Sequence, residues 1–309
     1  MVRVAALDCG TNSVRLLVAD LPDAGTGPLT DQVRRMEIVR LGEGVDRTGR
    51  LSAAAIERTR VALAGYAGEI RRLGADRVRM VATSATRDAA NAGEFAEMVV
   101  DTLGVAPEVL SGDEEARLSY GGAVHGLPAG TGPPYLVVDI GGGSTELVAG
   151  RERVERAVSV DVGCVRMTER HLPGDPPTPD QVAAAEADIT GTVGPALAAV
   201  GGRRPGTLIG LAGSVTTVAG IALGLPAYLP DRIHHARIPY EQVAKVTAEL
   251  LGMPRWQRLA LPVMHPGRAD VIGAGALILR VVMALADAGS VLASEHDILD
   301  GIAWSLASQ

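Results

Sequence analysis

At 309 residues the chain is about twice the length of an average domain, which leaves room for two domains and excludes a lone small binding module. Hydrophobic residues at 47% against charged residues at 21% exclude a mostly disordered chain. The net charge of -7 disfavours general coating of nucleic acid, so a polyanionic partner has to be held by a local arrangement of donors.

Self-similarity organises the chain at long range. The run Val4 to Val18, containing Asp8-Cys9-Gly10-Thr11-Asn12-Ser13, aligns without a gap on Tyr135 to Ala149, containing Asp139-Ile140-Gly141-Gly142-Gly143-Ser144. Each is an apolar strand ending in Asp, a turn of small residues and a second apolar strand. After the first opening, apolar strands are predicted over 33–41, 77–83, 107–110 and 207–211, with helical periodicity over 53–73, 94–103 and 181–200. Thr178-Pro179-Asp180-Gln181 has the form of a helix start, with an N-cap Thr, a first-turn Pro and a Gln three residues on. Residues 25–28 and 226–230 read as surface loops, and residues 121–134 as an ordered connection between the two lobes. The stretch 271–286 is apolar but interrupted by Arg280, as in a core helix, so no membrane role is expected. The pattern is α/β, with domains over 1–122 and 123–296 and a C-terminal helix, about 297–309, expected to pack back on the first.

Composition limits the chemistry. Of 29 basic residues only Lys245 is a lysine and 28 are arginines, so anion recognition has to rest on guanidinium groups and backbone amides. Aromatics at 3% with a single Phe, Phe95, leave no platform for base stacking. Cys9 and Cys164 form no disulfide framework, which points to a reducing cytoplasm, and the opening Met1 to Asp8 is too short an apolar run for a signal peptide.

Three small-residue turns carry the phosphate chemistry: Gly10-Thr11-Asn12-Ser13, Gly141-Gly142-Gly143-Ser144-Thr145 and Gly213-Ser214 within the third. Glycine lacks Cβ and reaches positive φ, so consecutive amides can converge on phosphate oxygens. One such turn is as readily a plain hairpin, but the repetition favours a site. Asp8, Asp139 and Glu146 at strand ends repel phosphate unless a divalent cation intervenes, which suggests Mg2+ or Mn2+; for Asp8 a turn-capping role fits as well. In Ser111-Gly112-Asp113-Glu114-Glu115 a capping box turns Glu114 back onto Ser111 and leaves Glu115 as the freer carboxylate, a candidate base for orienting water. Read alone, the same run also fits a solvated face complementing the helix dipole. Arg87, after the hydroxyl-rich run Thr83-Ser84-Ala85-Thr86, is a candidate for bidentate phosphate binding, with Arg166 and Arg268 as weaker ones. The six histidines show no metal-ligand spacing, and Cys9 reads as a packing residue.

Taken together, Asp8-x-Gly10-Thr11-Asn12-Ser13, Ala82-Thr83-Ser84-Ala85-x-Arg87-x-Ala89-x-Asn91, Ser111-Gly112-x-Glu114-Glu115-Ala116, Asp139-x-Gly141-Gly142-Gly143-Ser144-Thr145-Glu146 and Gly210-x-x-Gly213-Ser214-x-Thr216-Thr217 resemble the signature set of the exopolyphosphatase/guanosine pentaphosphate phosphatase family, in its short two-domain form. The resemblance implies two RNase H-like domains of the actin/Hsp70/sugar-kinase superfamily, an active-site cleft between them, and a homodimer. It implies Glu115 as catalytic glutamate, Asp139 and Glu146 as metal ligands, and Asn12, Ser13, Arg87 and Gly141 to Thr145 as phosphate ligands. The expected activity is metal-dependent removal of the terminal phosphate of inorganic polyphosphate, preferring short chains. Guanosine pentaphosphate hydrolysis, alarmone binding without turnover, and a sugar or acetate kinase are the alternatives. Two departures from the family pattern bear on substrate preference: Asp297-Ile298-Leu299-Asp300-Gly301 lacks the usual arginine, and Ala212 stands where glycine is common.

Overall fold

The computed structural model describes residues 2–22 and 28–308. The chain forms two compact units, Met1–Gly126 with Ile298–Gln309, and Leu127–Asp297.

In the first unit the elements run β1 (Arg3–Cys9), β2 (Ser13–Asp20), β3 (Thr30–Ile38), α1 (Val45–Thr48), α2 (Ala53–Leu73), β4 (Arg77–Ala82), α3 (Ser84–Arg87), α4 (Ala92–Leu103), β5 (Glu108–Val109) and α5 (Gly112–Val124). The sheet order is β3-β2-β1-β4-β5, with β1, β2 and β3 antiparallel and β4 and β5 parallel to β1. Central strand β1 is buried on both faces, as a parallel neighbour requires. Its period-2 alternation sorts the core. Ala5, Leu7 and Cys9 pack with Leu63, Tyr66, Phe95 and Val99 from α2 and α4, whereas Val4 and Ala6 pack with a set from the chain's C-terminal end.

The second unit continues with β6 (Tyr135–Ile140), β7 (Thr145–Gly150), β8 (Val154–Val160), α6 (Cys164–His171), α7 (Pro179–Val200), β9 (Thr207–Leu211), α8 (Ala212–Ala222), α9 (Pro230–Ile233), β10 (Arg237–Pro239), α10 (Tyr240–Gly252), α11 (Arg255–Leu259), α12 (Ile272–Ala286) and β11 (Ser290–Ala293); α13 (Ile298–Ser305) then rejoins the first unit. The order β10-β11-β9-β6-β7-β8 repeats the first sheet read from the other end, with β10 added at the edge. Both units are therefore RNase H-like α/β folds. Helix α12 is almost wholly buried among α7, α10 and the sheet residues, and its single arginine, Arg280, reaches Glu186 at 2.6 Å.

Most boundaries fall within two residues of the sequence pattern, and two do not. Strand β3 ends at Ile38 rather than Leu41, because the amides of Val39, Arg40 and Gly42 leave the ladder to bond the first turn. Helix α5 runs to Val124, so residues 121–124 of the predicted connection are helical. Loop residues 226–229 are mostly exposed; residues 25–27 of the other predicted loop lie outside the described residues.

Candidate active site

In the first turn, the Gly10 amide donates to the Ser13 carbonyl at 2.9 Å, which closes the hairpin. The Thr11 carbonyl accepts from Gly42 (2.8 Å) and the Asn12 carbonyl from Val39 (3.1 Å) and Arg40 (2.9 Å). In a trans peptide the N–H points opposite to the preceding carbonyl. The amides of Asn12 and Ser13 are consequently turned away from the 39–42 segment. Gly42 is required where it packs, since a Cβ would run into the Thr11 methyl. The Thr11 hydroxyl pairs with Ser84 Oγ at 3.0 Å, and Asn12 Oδ1 is a buried acceptor without a partner among the described residues.

The second turn repeats this plan with different support. Gly141 donates to the Ser144 carbonyl at 3.0 Å. The carbonyls of Gly141 and Gly142 accept from the first amides of α6, Cys164 (2.9 Å), Val165 (2.9 Å) and Arg166 (3.1 Å), and that of Gly143 accepts from Arg166 Nε at 2.7 Å. Three successive carbonyls pointing toward α6 turn three successive amides, Gly142, Gly143 and Ser144, the other way, a concave row of donors suited to an anion. Gly163 is dictated by this contact, because a Cβ there would strike the Gly142 carbonyl. Arg166, a weaker phosphate candidate by sequence, supports the turn instead. Thr145 likewise stands behind it: its side chain is fully buried and its hydroxyl donates to the Val162 carbonyl. Gly10 and Gly141 do not adopt positive φ, and their own amides close the turns, so they shape the donor rows rather than join them.

The acids differ between the units at one register position. Asp8 faces Arg15 across β1–β2, and Asp139 faces Glu146 across β6–β7. Asp8, grouped with the metal ligands by sequence, accepts from Arg15 through Nη2 (2.6 Å) and Nε (2.9 Å) on Oδ2, so the first turn carries its own cation. Asp139 and Glu146 are two buried carboxylates on one sheet face; Glu146 Oε1 accepts from Ser159 at 2.7 Å. This donor set fits Mg2+, which uses one or two carboxylates and keeps waters and phosphate oxygens for the rest. Among the described residues no cluster of three or more His, Cys, Asp or Glu could hold a metal alone. The Asp8–Arg15 partnership was open to discovery from the internal alignment, which sets Arg15 against Glu146.

The capping box at the start of α5 is present. Ser111 N donates to Glu114 Oε2 at 3.0 Å and the Ser111 hydroxyl accepts from the Glu114 amide. The amide and hydroxyl of Ser111, both donating to Glu114 Oε2, hold the Glu114 carboxyl below its ordinary range. Glu115 is buried, and its Oε2 accepts from Arg87 Nη1 at 3.3 Å, a nitrogen that also donates to the Leu110 carbonyl at 3.0 Å. The expectation of a solvated acidic face does not hold for Glu115.

At the third turn, Ala212 has φ of 65°, the region glycine favours. Gly213 lies directly beneath the Arg268 guanidinium, which a Cβ would push aside, and Arg268 Nη1 reaches Thr217 Oγ1 at 3.4 Å. Ser214 contacts Cys164, whose thiol burial pushes up against the Ser214 hydrogen bond and the Arg268 charge. Burial and the charge of Asp8 likewise push up the Cys9 thiol. Neither cysteine is a ready nucleophile. The rings of His234 and His235 lie 3.6 Å apart and that of His296 4.4 Å from His234.

The Ppx/GppA phosphatase family profile matches residues 19–308. Exopolyphosphatase 2 of Mycobacterium tuberculosis (strain CDC 1551 / Oshkosh) is 49% identical over 317 residues, covering 99% of each chain. Among solved structures, an exopolyphosphatase-like protein is 41% identical with a TM-score of 0.94 over 99% of this chain and 97% of that one. The Aquifex aeolicus family member is 32% identical with a TM-score of 0.82 over 99% and 98%. The profile covers the second and third turns, Arg87, Glu115 and the paired acids: the chain belongs to the Ppx/GppA phosphatase family.

Proposed function

We propose that the protein is a phosphoanhydride hydrolase, an exopolyphosphatase that releases the terminal phosphate of inorganic polyphosphate. The observation that carries the reading is the row of amides at Gly142, Gly143 and Ser144, set beside two buried carboxylates, a combination suited to a polyanion that brings a cation with it. The full-length similarity to Exopolyphosphatase 2 supports the same substrate class.

In this reading Glu115 accepts a proton from the attacking water, and Arg87 orients Glu115 while offering its remaining N–H groups to the leaving phosphate. The amides of Asn12 and Ser13, with those of the second turn and Ser214, bind phosphoryl oxygens. They are fixed before substrate arrives, so little reorganisation opposes the charge that develops in phosphoryl transfer. Asp139 and Glu146 would hold Mg2+ or Mn2+, which supplies neutralisation of phosphate charge when bound. Asp8 stays with Arg15 and keeps the first turn in shape. The net charge of -7 opposes long polyanions, so short chains are the preferred substrates. We place the enzyme in the cytoplasm as a homodimer, in keeping with two free, buried cysteines; among the described residues no helix is long and apolar enough to cross a membrane.

Phosphate release with Mg2+ from polyphosphates of graded length, guanosine pentaphosphate and ATP tests the proposal. Fastest release from short polyphosphate is expected. Faster release from guanosine pentaphosphate assigns the nucleotide activity instead, rising rates with chain length refute the short-chain preference, and tight guanosine tetraphosphate binding with no hydrolysis of any substrate makes the protein a sensor.

A further inference from the structure

The segment Asp297 to Gly301, read from sequence as bearing on substrate preference, delivers α13 to the back of the helix that carries Glu115. Ile298, Leu299, Ile302, Ala303 and Leu306 are buried against Val4, Ala6, Leu17 and Ala19, which cements α13 to the first sheet. Gly301 meets α5 backbone to backbone: a Cβ would collide with the carbonyl of Leu118, one helical turn after Glu115. At the far end of α5, the His125 ring lies 4.1 Å from that of Trp304. The azimuth of α13 is set by Asp300, which is 2% exposed and accepts both terminal nitrogens of Arg34 on β3, at 2.6 and 3.2 Å. Burial pushes the Arg34 guanidinium down, and the charges and hydrogen bonds of Asp300 and Asp31 together more than restore it, leaving it above its ordinary value.

We infer that Gly301 and the Arg34–Asp300 pair are positioning residues that set the depth and rotation of α5 and thereby the reach of Glu115 to Arg87. The inference rests on the proposed role of Glu115 as base. The capping box and the Arg87 bond to Leu110 hold the first turn of α5 from the front, and α13 holds the next turn from behind. Glu115 is clamped between these supports. A shift of about 1 Å in such a group is enough to cost on the order of a hundredfold in rate, with substrate affinity little changed because most phosphate donors lie in the turns and Arg87 keeps its bond to Leu110.

The test compares Gly301→Ala, Asp300→Asn, Arg258→Gln and Glu115→Gln in the full chain, with kcat expressed per folded molecule and Tm recorded. Arg258→Gln breaks the bond of a buried arginine to the half-exposed Asp175 (2.6 Å) in the second unit and controls for destabilisation alone. Gly301→Ala and Asp300→Asn are expected to lower kcat at least about tenfold with KM within about twofold, and Arg258→Gln to lower Tm with kcat unchanged. If Gly301→Ala fails to fold, Asp300→Asn, close in shape to the native residue, decides. Unchanged kcat in the α13 variants, a matching rise in KM, or an equal loss of kcat in Arg258→Gln overturns the positioning role. Retained activity in Glu115→Gln sinks the base assignment itself, a different result from an inactive Glu115→Gln beside a fully active Gly301→Ala.

Discussion

Arg87 donates to Glu115 at 3.3 Å from the same nitrogen that holds the Leu110 carbonyl. One guanidinium thus ties the end of α3 to the entrance of α5 and orients a buried carboxylate. Lysine can set its one nitrogen on both acceptors but lacks the further guanidinium N–H groups left for phosphate. Arg87→Lys is expected to lower kcat/KM for polyphosphate about a hundredfold, measured as initial rates of phosphate release. A loss below threefold would show that geometry at Arg87 is unimportant.

Asp8 and Asp139 occupy equivalent positions with opposite partners, Arg15 and Glu146. Glu146→Gln is expected to raise the Mg2+ concentration for half-maximal activity at least about tenfold, since one of two carboxylate donors is lost. Asp8→Asn should leave that concentration nearly unchanged and destabilise the fold by about 3 kcal/mol, because the mostly buried Arg15 loses its counter-charge. Metal titrations and urea unfolding of both variants separate the roles; a matching metal defect in Asp8→Asn would place Asp8 among the ligands.

Ala212 sits at a φ of 65°, where a Cβ costs roughly 1–2 kcal/mol and glycine avoids that cost at about 0.5–1 kcal/mol of unfolded-state entropy. Ala212→Gly is therefore expected to stabilise the protein by roughly 0.5–1 kcal/mol in urea unfolding. Destabilisation would mean that the alanine methyl contributes packing that outweighs the strain.

His235 is held below its ordinary value, first by burial and then by the charge of His296, and His265 by burial and Arg268. On acidification the unfolded chain takes up these protons before the folded one does. Stability is complete above the unfolded value of about 6.5 and falls as pH drops through the lower folded values. His235→Asn, tolerated at a φ of 63°, should flatten the fall in Tm between pH 7 and 5. An unchanged slope would exclude His235 as a contributor.

Much of this architecture is legible in the residues because periodicity and capping are local. Helix α2 and strand β9 match their predicted bounds, and both capping boxes lie where Ser111 and Thr178 place them. What pattern cannot convey is pairing across the chain. The alternation of β1 does not reveal that Arg15 neutralises Asp8, that α6 amides hold the Gly141 turn, or that Val39 and Arg40 abandon their strand for Asn12. Asp300 and Arg34, separated by 266 positions, are joined only by the return of α13. Edge strand β10 and its neighbour β11 are too short to show a period.

In the proposed reaction Glu115 activates water while other groups bind substrate. Glu115→Gln keeps the shape of the side chain and one oxygen able to accept from Arg87, and removes its basicity. Phosphate release from short polyphosphate with Mg2+ should fall by at least about a hundredfold, with calorimetric affinity for the same polyphosphate within a few-fold of the unmodified protein. Release at a near-normal rate would contradict the assignment and leave the anion-binding turns without their proposed base.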